Sequence, residues 1–392
     1  MPALIERGHQ VAATVMSASE VNAPPHLTVH TYYPKRRSTP NIHPWLIDME
    51  TKTIRAEAMF HKMMELKAAG YQPDLVIAHP GWGESLFVKR VWPHTKLAIY
   101  CEFFYSAEGQ DMGFDPEFPS SSIEDACRLT LKNNNNYLHF EIADAGISPT
   151  HWQQSTFPPR FKDKISVIHD GIDTDVVCPD ATAQFDLDQG GSLSKSDEVI
   201  TFVNRNLEPY RGYHIFMRAL PQILQARPQA KVVIVGGDDV SYGAKPANGK
   251  NWKQIFLDEL APKLSQEQMA RLHFVGKISY PRFISLLQIS SLHVYLTYPF
   301  VLSWSLLEAM SAECAILASD TEPLREVIQD GVNGRLVNFF DVDKLAKQSI
   351  DLLEDQPTRQ RFGKNARQFA QQHYDLKTQC LPRQLAWVES LL

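Results

Sequence analysis

The stretch Val199-Ile-Thr-Phe-Val203-Asn-Arg205-Asn-Leu-Glu-Pro-Tyr-Arg211-Gly212 decides how the chain is read. The run 199–203 has the length and apolar content of a buried strand. Two guanidinium groups follow six residues apart in a loop, and Gly212 leads into 213–226, where Ile215, Phe216, Ala219, Leu220, Ile223 and Leu224 fall on one helical stripe. A strand feeding a helix without a hairpin signal predicts a crossover connection and a parallel sheet. Arginine is a permanently charged fork suited to phosphate, and a helix N-terminus adds backbone donors and partial positive charge. Arg205, Arg211 and Gly212 therefore describe a diphosphate cradle. Two surface arginines in an ordinary strand-to-helix loop are the alternative reading of the same segment.

The pattern extends both ways. Downstream, strands are expected at 231–235, 272–275, 292–297, 314–318 and 335–337, and helices at 281–289, 304–312, 341–353, 356–373 and 379–391. Upstream, short apolar runs at 11–16, 27–32, 74–78, 96–100, 146–148 and 165–168 alternate with helical spacing over 48–69 and 122–144. The fold class is α/β, with two doubly wound Rossmann-like domains over 1–170 and 171–365, and C-terminal helices over 366–392. The polar, Gly- and Ser-rich segment 180–198 reads as a surface connection. Two such domains in series predict a central cleft, where the switch-point rule for open α/β sheets places ligands without naming the chemistry.

The length of 392 residues agrees, since roughly 100–200 residues per domain predicts two or three. With 39 basic and 45 acidic side chains the net charge is −6, which lacks the field of a nucleic-acid binder. No run of about 18 apolar residues spans a membrane, and no basic-then-apolar segment opens the chain, so a cytoplasmic protein is expected. Five scattered cysteines without CxxC pairs speak against a structural metal.

Other segments could carry chemistry. In Leu296-Thr-Tyr-Pro-Phe300-Val301-Leu302-Ser303-Trp-Ser-Leu-Leu-Glu308, Ser303 is a good N-cap, and Glu308 could accept hydrogen bonds from a ribose diol or be a plain helix-face carboxylate. In the first half, His79-Pro-Gly81-Trp-Gly83 and Tyr100-Cys101-Glu102 both leave strands, placing a titratable imidazole and a carboxylate at strand ends, although a lone histidine after a strand is more often structural and aromatics there usually pack the core. The signatures of zinc enzymes, serine hydrolases and P-loop NTPases do not occur in the required context.

Taken in order, Val167-Ile-His-Asp-Gly171-Ile-Asp-Thr174, the Arg205…Arg211-Gly212 loop, Val235-Gly-Gly237, Val275-Gly-Lys277-Ile278, Leu307-Glu308-Ala-Met310 and Asp330-Gly-Val-Asn-Gly334-Arg-Leu-Val337 resemble the donor half of retaining GT-B glycosyltransferases of family 4. The first half is similar to the family's acceptor domain chiefly through Glu6-Arg7-Gly8-His9-Gln10-Val11. The resemblance implies transfer of a hexose-like sugar from a nucleotide diphosphate sugar to a saccharide or lipid-linked acceptor, with retention and without a metal or cofactor. It implies Arg205 and Arg211 on the diphosphate, Arg211 standing at the family's usual lysine. Glu308 would lie on the ribose, and the backbone at Lys277 and Ile278 on the base.

Two departures stand out. Eight residues before Glu308, where the family commonly has a glutamate, stands Phe300, so the sugar is expected on the amides of Val301, Leu302 and Ser303 or on the Ser303 hydroxyl. The family's acceptor-side histidine is replaced by Tyr100-Cys101-Glu102, leaving Glu102, then His79, as candidate catalytic groups. The resemblance also sets polysaccharide or glycoconjugate assembly as the context, with Lys35-Arg-Arg37 as a candidate for peripheral contact at the inner membrane surface. A GT-B epimerase or phosphorylase, or a nucleotide-sugar-binding protein without turnover, are the competing readings. Because Arg7-Gly8-His9 belongs to the end of the family's first helix, a strand and Gly-rich loop of roughly 15–20 residues are expected upstream of Met1. A shortened chain of this kind is expected to be poorly stable in its first domain and weak as a catalyst.

Overall fold

A computed structural model describes all residues except 17–22, 119–121, 189 and 248. The chain divides into two compact units, Met1–His169 with Leu381–Leu392, and Asp170–Cys380.

In the first unit, β1 (Ala12–Val15) pairs in parallel with β2 (Thr28–Thr31). A separate parallel sheet runs in the order β3 (Leu75–Ala78), β4 (Lys96–Tyr100), β5 (Ala145–Ser148) and β6 (Ile165–Val167). The interiors of β4 and β5 are apolar and buried, as parallel strands covered on both faces should be. The helix Ile47–Ala68 turns Met59 and Met63 into this core beside Leu97, Ile99 and Phe140. The stretch 122–144, expected as one helix, is two, Ile123–Lys132 and Asn134–Ile142. Asn133 sits at the junction and ties the chain to Tyr105 through both its amide atoms, donating to the carbonyl (2.6 Å) and accepting from the N–H (3.0 Å).

The second unit opens with a hairpin of β7 (Gln184–Asp186) and β8 (Ser192–Ser194), inside the segment expected to be a plain surface connection. Phe185 and Leu193 face each other across it and are buried in the unit's core, and two apolar side chains in a polar stretch give too little period-two signal to read. Six parallel strands follow: β9 (Val199–Asn206), β10 (Lys231–Gly237), β11 (Leu272–Phe274), β12 (Leu292–Tyr295), β13 (Ile316–Ser319) and β14 (Arg335–Val337). Their spatial order is β11-β10-β9-β12-β13-β14. The chain thus builds outward from β9 in one direction and from β12 in the other, so the switch point lies between these two strands. Under it, Thr201 of β9 shares its hydroxyl with His293 Nδ1 of β12 and with Ser290, both at 2.8 Å. Burial holds His293 neutral, its pKa pushed down to about 4.

The helix Tyr213–Ala226 packs on the sheet with the Phe216 ring stacked on Phe202 at 4.4 Å. The helix Gln356–Tyr374 gives Ala366, Ala370 and Tyr374 to the same core. After the π-helical turn Leu376–Cys380, the helix Leu381–Glu389 clusters with the first unit, where Arg383 and Gln384 donate to the carbonyls of Val167 and His169. Among the described residues, no helix is long and apolar enough to cross a membrane.

Candidate functional site

The loops leaving β9 and β12 flank the switch point, and three contacts bind them into one body. Tyr298 N–H donates to the Tyr210 carbonyl at 3.0 Å. Gly212, at φ +67°, lies so close to β12's exit that a Cβ there would come within 2.3 Å of Leu296 Cβ. Arg211 reaches beneath the second loop, where its Nη1 donates to Thr297 Oγ1 (2.7 Å), Tyr295 Oη (3.3 Å) and the Val301 carbonyl (3.3 Å).

The two arginines, alike in the sequence, are therefore placed differently. Arg211 is 5 % exposed and its guanidinium also lies 5.0 Å from the Tyr242 ring. Burial works against its charge, but Tyr295, Tyr242 and Glu208 more than offset this and raise its pKa. Arg205 is exposed, and its guanidinium makes no hydrogen bond or ion pair among the described residues. Its charge is free to meet an anion. The helix opening at Tyr213, next to both, carries no side-chain cap, leaving first-turn amides without that partner.

In the second loop, Ser303 caps the helix Trp304–Ser311, its hydroxyl accepting from Ser305 N–H at 3.3 Å while its own N–H donates to Tyr295 Oη. The N–H groups of Val301 and Leu302 have no partner among the described residues. Phe300 is buried against Tyr210 and Tyr242, with ring centroids 5.5 and 5.2 Å away, and Tyr298 closes the cluster 4.7 Å from Tyr210. At the position where the family commonly has a carboxylate, the molecule has an aromatic wall. Glu308 is 9 % exposed and accepts a hydrogen bond from Tyr280 at 2.8 Å. Burial raises its pKa and the Tyr280 bond partly opposes that. Lys277 is exposed without an ion pair among the described residues, and its Cε lies 2.5 Å from where a Cβ on Gly237 would stand; Ile278 packs on the core.

Three residues of this region escape sequence reading. Glu208, 1 % exposed, accepts from the N–H groups of Ser241, Tyr242 and Gly243 at 3.0–3.2 Å, and so holds the loop after β10 against the aromatic wall. Asn206 is buried, donates to Ser241 Oγ at 2.7 Å and leaves its Oδ1, beside Gly237, without a partner among the described residues. Tyr280 is the third. Their partners lie 28 to 35 residues along the chain, where no local pattern points.

In the first unit, His79 and Glu102 leave adjacent strands β3 and β4 and meet, His79 Nε2 to Glu102 Oε2 at 3.2 Å. His79 Nδ1 accepts from Gly81 N–H at 3.0 Å, which fixes the ring. The Cys101 thiol between them in sequence is fully buried, and burial pushes its pKa up. His79 and Glu102 line a cavity of about 400 Å³. Among the described residues, no group of three or more His, Cys, Asp or Glu side chains is placed to hold a metal ion.

Comparison with known proteins adds to this geometry. Residues 7–177 match the family described as glycosyl transferase family 4 group, and residues 184–369 match glycosyl transferases group 1. The phosphatidyl-myo-inositol mannosyltransferase of Mycolicibacterium smegmatis is 30 % identical over 169 residues, 42 % of this chain and 38 % of that protein. The D-inositol 3-phosphate glycosyltransferase of Kribbella flavida is 26 % identical over 253 residues, 64 % and 53 % of the two chains. With an uncharacterised glycosyltransferase of Methanocaldococcus jannaschii, 32 % identical, the match spans 27 % of that protein. The matched segments thus cover between about a quarter and a little over half of these relatives' own lengths. Among solved structures, sucrose-phosphate synthase from Thermosynechococcus elongatus superposes with a TM-score of 0.72 at 17 % identity, over 99 % of this chain and 90 % of that one. Anabaena HepE in complex with UDP and glucose gives 0.63 at 18 %, over 94 % and 87 %. These likenesses show a GT-B fold.

Proposed function

From the premise that this chain belongs to the group 1 glycosyltransferases of family 4, we propose that it moves a sugar from a nucleoside diphosphate sugar to a hydroxyl of a saccharide or lipid-linked acceptor, with retention of configuration. The observation that carries the reading is Arg205, an unpaired cation held at the switch point beside a helix N-terminus. In this reaction the bond between the anomeric carbon and the diphosphate oxygen breaks, the acceptor oxygen bonds that carbon, and the hydroxyl proton leaves. Negative charge grows on the departing diphosphate, and fixed cations and backbone donors already in place meet it without reorganisation. Arg205 supplies that charge in this reading, and no metal or cofactor is assigned.

The remaining roles follow from placement. Glu308 takes the ribose hydroxyls on the carboxylate oxygen Tyr280 leaves open, and the Lys277–Ile278 backbone borders the base. The unpaired N–H groups of Val301 and Leu302, beside the Ser303 cap, face the task of holding sugar hydroxyls. Glu102 and His79 are the candidates for the acceptor's proton. The relatives' names support glycoconjugate assembly as the setting.

The test is incubation of the full chain with a panel of nucleotide sugars and acceptors, following nucleoside diphosphate release and reading the product's anomeric configuration by NMR. Acceptor-dependent release with the donor's own configuration is expected. Sugar conversion without transfer to an acceptor points instead to epimerisation and overturns the proposal.

Glu308 gives a prediction of mixed sign. Glu308→Gln is expected to weaken donor binding about 10- to 100-fold, since a hydrogen bond to a charged group contributes about 1.5–3 kcal/mol. The same change is expected to stabilise the ligand-free fold at neutral pH. A carboxyl whose pKa is raised on folding contributes stability below its unfolded value and loses it as pH rises through the folded one. Urea unfolding at neutral pH and below pH 4 checks this: the variant's advantage should be present at the first and shrink at the second. Donor affinity unchanged by the substitution removes Glu308 from the ribose.

A further inference from the structure

The cavity beside His79 and Glu102 contains a cation that the transfer scheme does not use. Lys132 ends the helix Ile123–Lys132 and lines the cavity, with its Nζ 3.6 Å from the centroid of the Tyr105 ring. That ammonium makes no hydrogen bond and no ion pair among the described residues. An ammonium group has three donors to satisfy, and an aromatic face satisfies none of them as an anion would. Burial lowers the pKa of Lys132, while Asp48 and Asp111 act on it only at a distance.

The acids around the cavity are engaged elsewhere. Asp48 is held by Lys52 at 2.6 Å, and Glu102 by His79 at 3.2 Å. Behind the wall, Glu84 takes the Tyr32 hydroxyl at 2.6 Å and Arg55 at 3.4 Å. Arg55 itself leans on the Trp82 ring at 5.3 Å. Lys52 and Arg55 are thus each paired with a carboxylate, and among the described residues the Lys132 ammonium is the lining cation left without one. The volume, about 400 Å³, is that of a small-ligand site, and Trp82, Tyr100 and Tyr105 supply flat apolar surface for a ring or chain.

We propose that this cavity is an anion subsite that binds a phosphate group carried by the acceptor, with Lys132 as its principal cation and Lys52 and Arg55 beside it. The inference rests on the transfer reading and deepens it, since it names the acceptor's chemistry. A phosphate offers the several strong acceptor oxygens that Lys132 lacks, and its negative charge complements that unpaired ammonium. The phosphate could be a soluble monoester or the diester of a lipid headgroup, and the two share this recognition chemistry.

The experiment uses the full chain with saturating UDP, so that phosphate entering a donor site does not contribute. Binding of inorganic phosphate is followed by NMR or calorimetry at low ionic strength in the wild type, Lys132→Gln, Lys132→Arg and the surface control Lys35→Gln. Lys132→Gln should weaken phosphate binding at least tenfold, while Lys132→Arg and Lys35→Gln should stay close to wild type. Glycerol 3-phosphate and phosphatidylglycerol vesicles then compete in separate arms; competition by either supports the subsite and identifies the source. Equal phosphate affinity in wild type and Lys132→Gln, or no phosphate binding in the wild type at tens of millimolar, overturns the proposal. UDP binding is measured in the same samples. UDP bound without a Lys132-dependent phosphate response sinks the subsite alone. A Lys132-dependent response without UDP binding sinks the transfer reading and leaves the subsite standing.

Discussion

Arg205→Ala is expected to lower kcat/KM for nucleotide-sugar turnover by about 10²- to 10³-fold, the cost of removing one preorganised group from developing charge, and to leave the unfolding midpoint where it was. Both halves come from the same placement. The side chain is exposed and unpaired, so the fold loses no contact when it goes, and substitutions at such positions cost about 0.5 kcal/mol or less. The activity loss arises because a guanidinium at the end of β9 stands at the switch point, beside a helix whose first turn has no side-chain cap. Lys277→Ala is the comparison: it removes another exposed cation, near Gly237, at a position where the backbone and not the side chain is assigned to the base, so turnover should stay close to wild type. Full activity in Arg205→Ala, measured as nucleoside diphosphate release, takes the diphosphate away from this residue.

How much of this was readable in the chain depends on the distance over which each feature is encoded. The parallel sheets were legible because a buried strand writes its burial in consecutive residues, as in Val199–Val203 and Leu292–Tyr295. The Ser303 cap was legible because a cap is a local hydrogen bond. The β7–β8 hairpin was hidden by composition, since its burial rests on Phe185 and Leu193 alone. Glu208, Asn206 and Tyr280 were invisible for another reason: a buried polar group is defined by its partners, and these lie on other loops. The difference between Arg205 and Arg211 belongs to the same class. Their spacing is explicit in the sequence, but that the acceptors Thr297, Tyr295 and Val301 await only one of them depends on β12 lying next to β9.

Arg211→Ala is accordingly expected to damage the fold as well as the chemistry, lowering the unfolding free energy by about 3–5 kcal/mol, the scale seen when one member of a buried charged set is removed. The substitution leaves Thr297 Oγ1, Tyr295 Oη and the Val301 carbonyl without their shared donor and empties the space against Tyr242. It also removes a positive charge that interacts with Glu208, leaving that buried carboxylate to its three backbone N–H donors. Arg211→Lys should behave quite differently, costing about 1 kcal/mol or less. All three acceptors converge on a single nitrogen, Nη1, and an ammonium placed there has three hydrogens to offer them. Lysine gives up the planar contact with Tyr242, and that is the part of the arginine it does not reproduce. Because Arg211 holds the loop that carries Val301 and Leu302, the alanine variant should lose donor binding in proportion to the loop's release, while the lysine variant keeps both. Urea unfolding and UDP titration on the two variants separate these effects. A lysine variant as unstable as the alanine one would show that the guanidinium plane, and not the charge at Nη1, holds the two loops together.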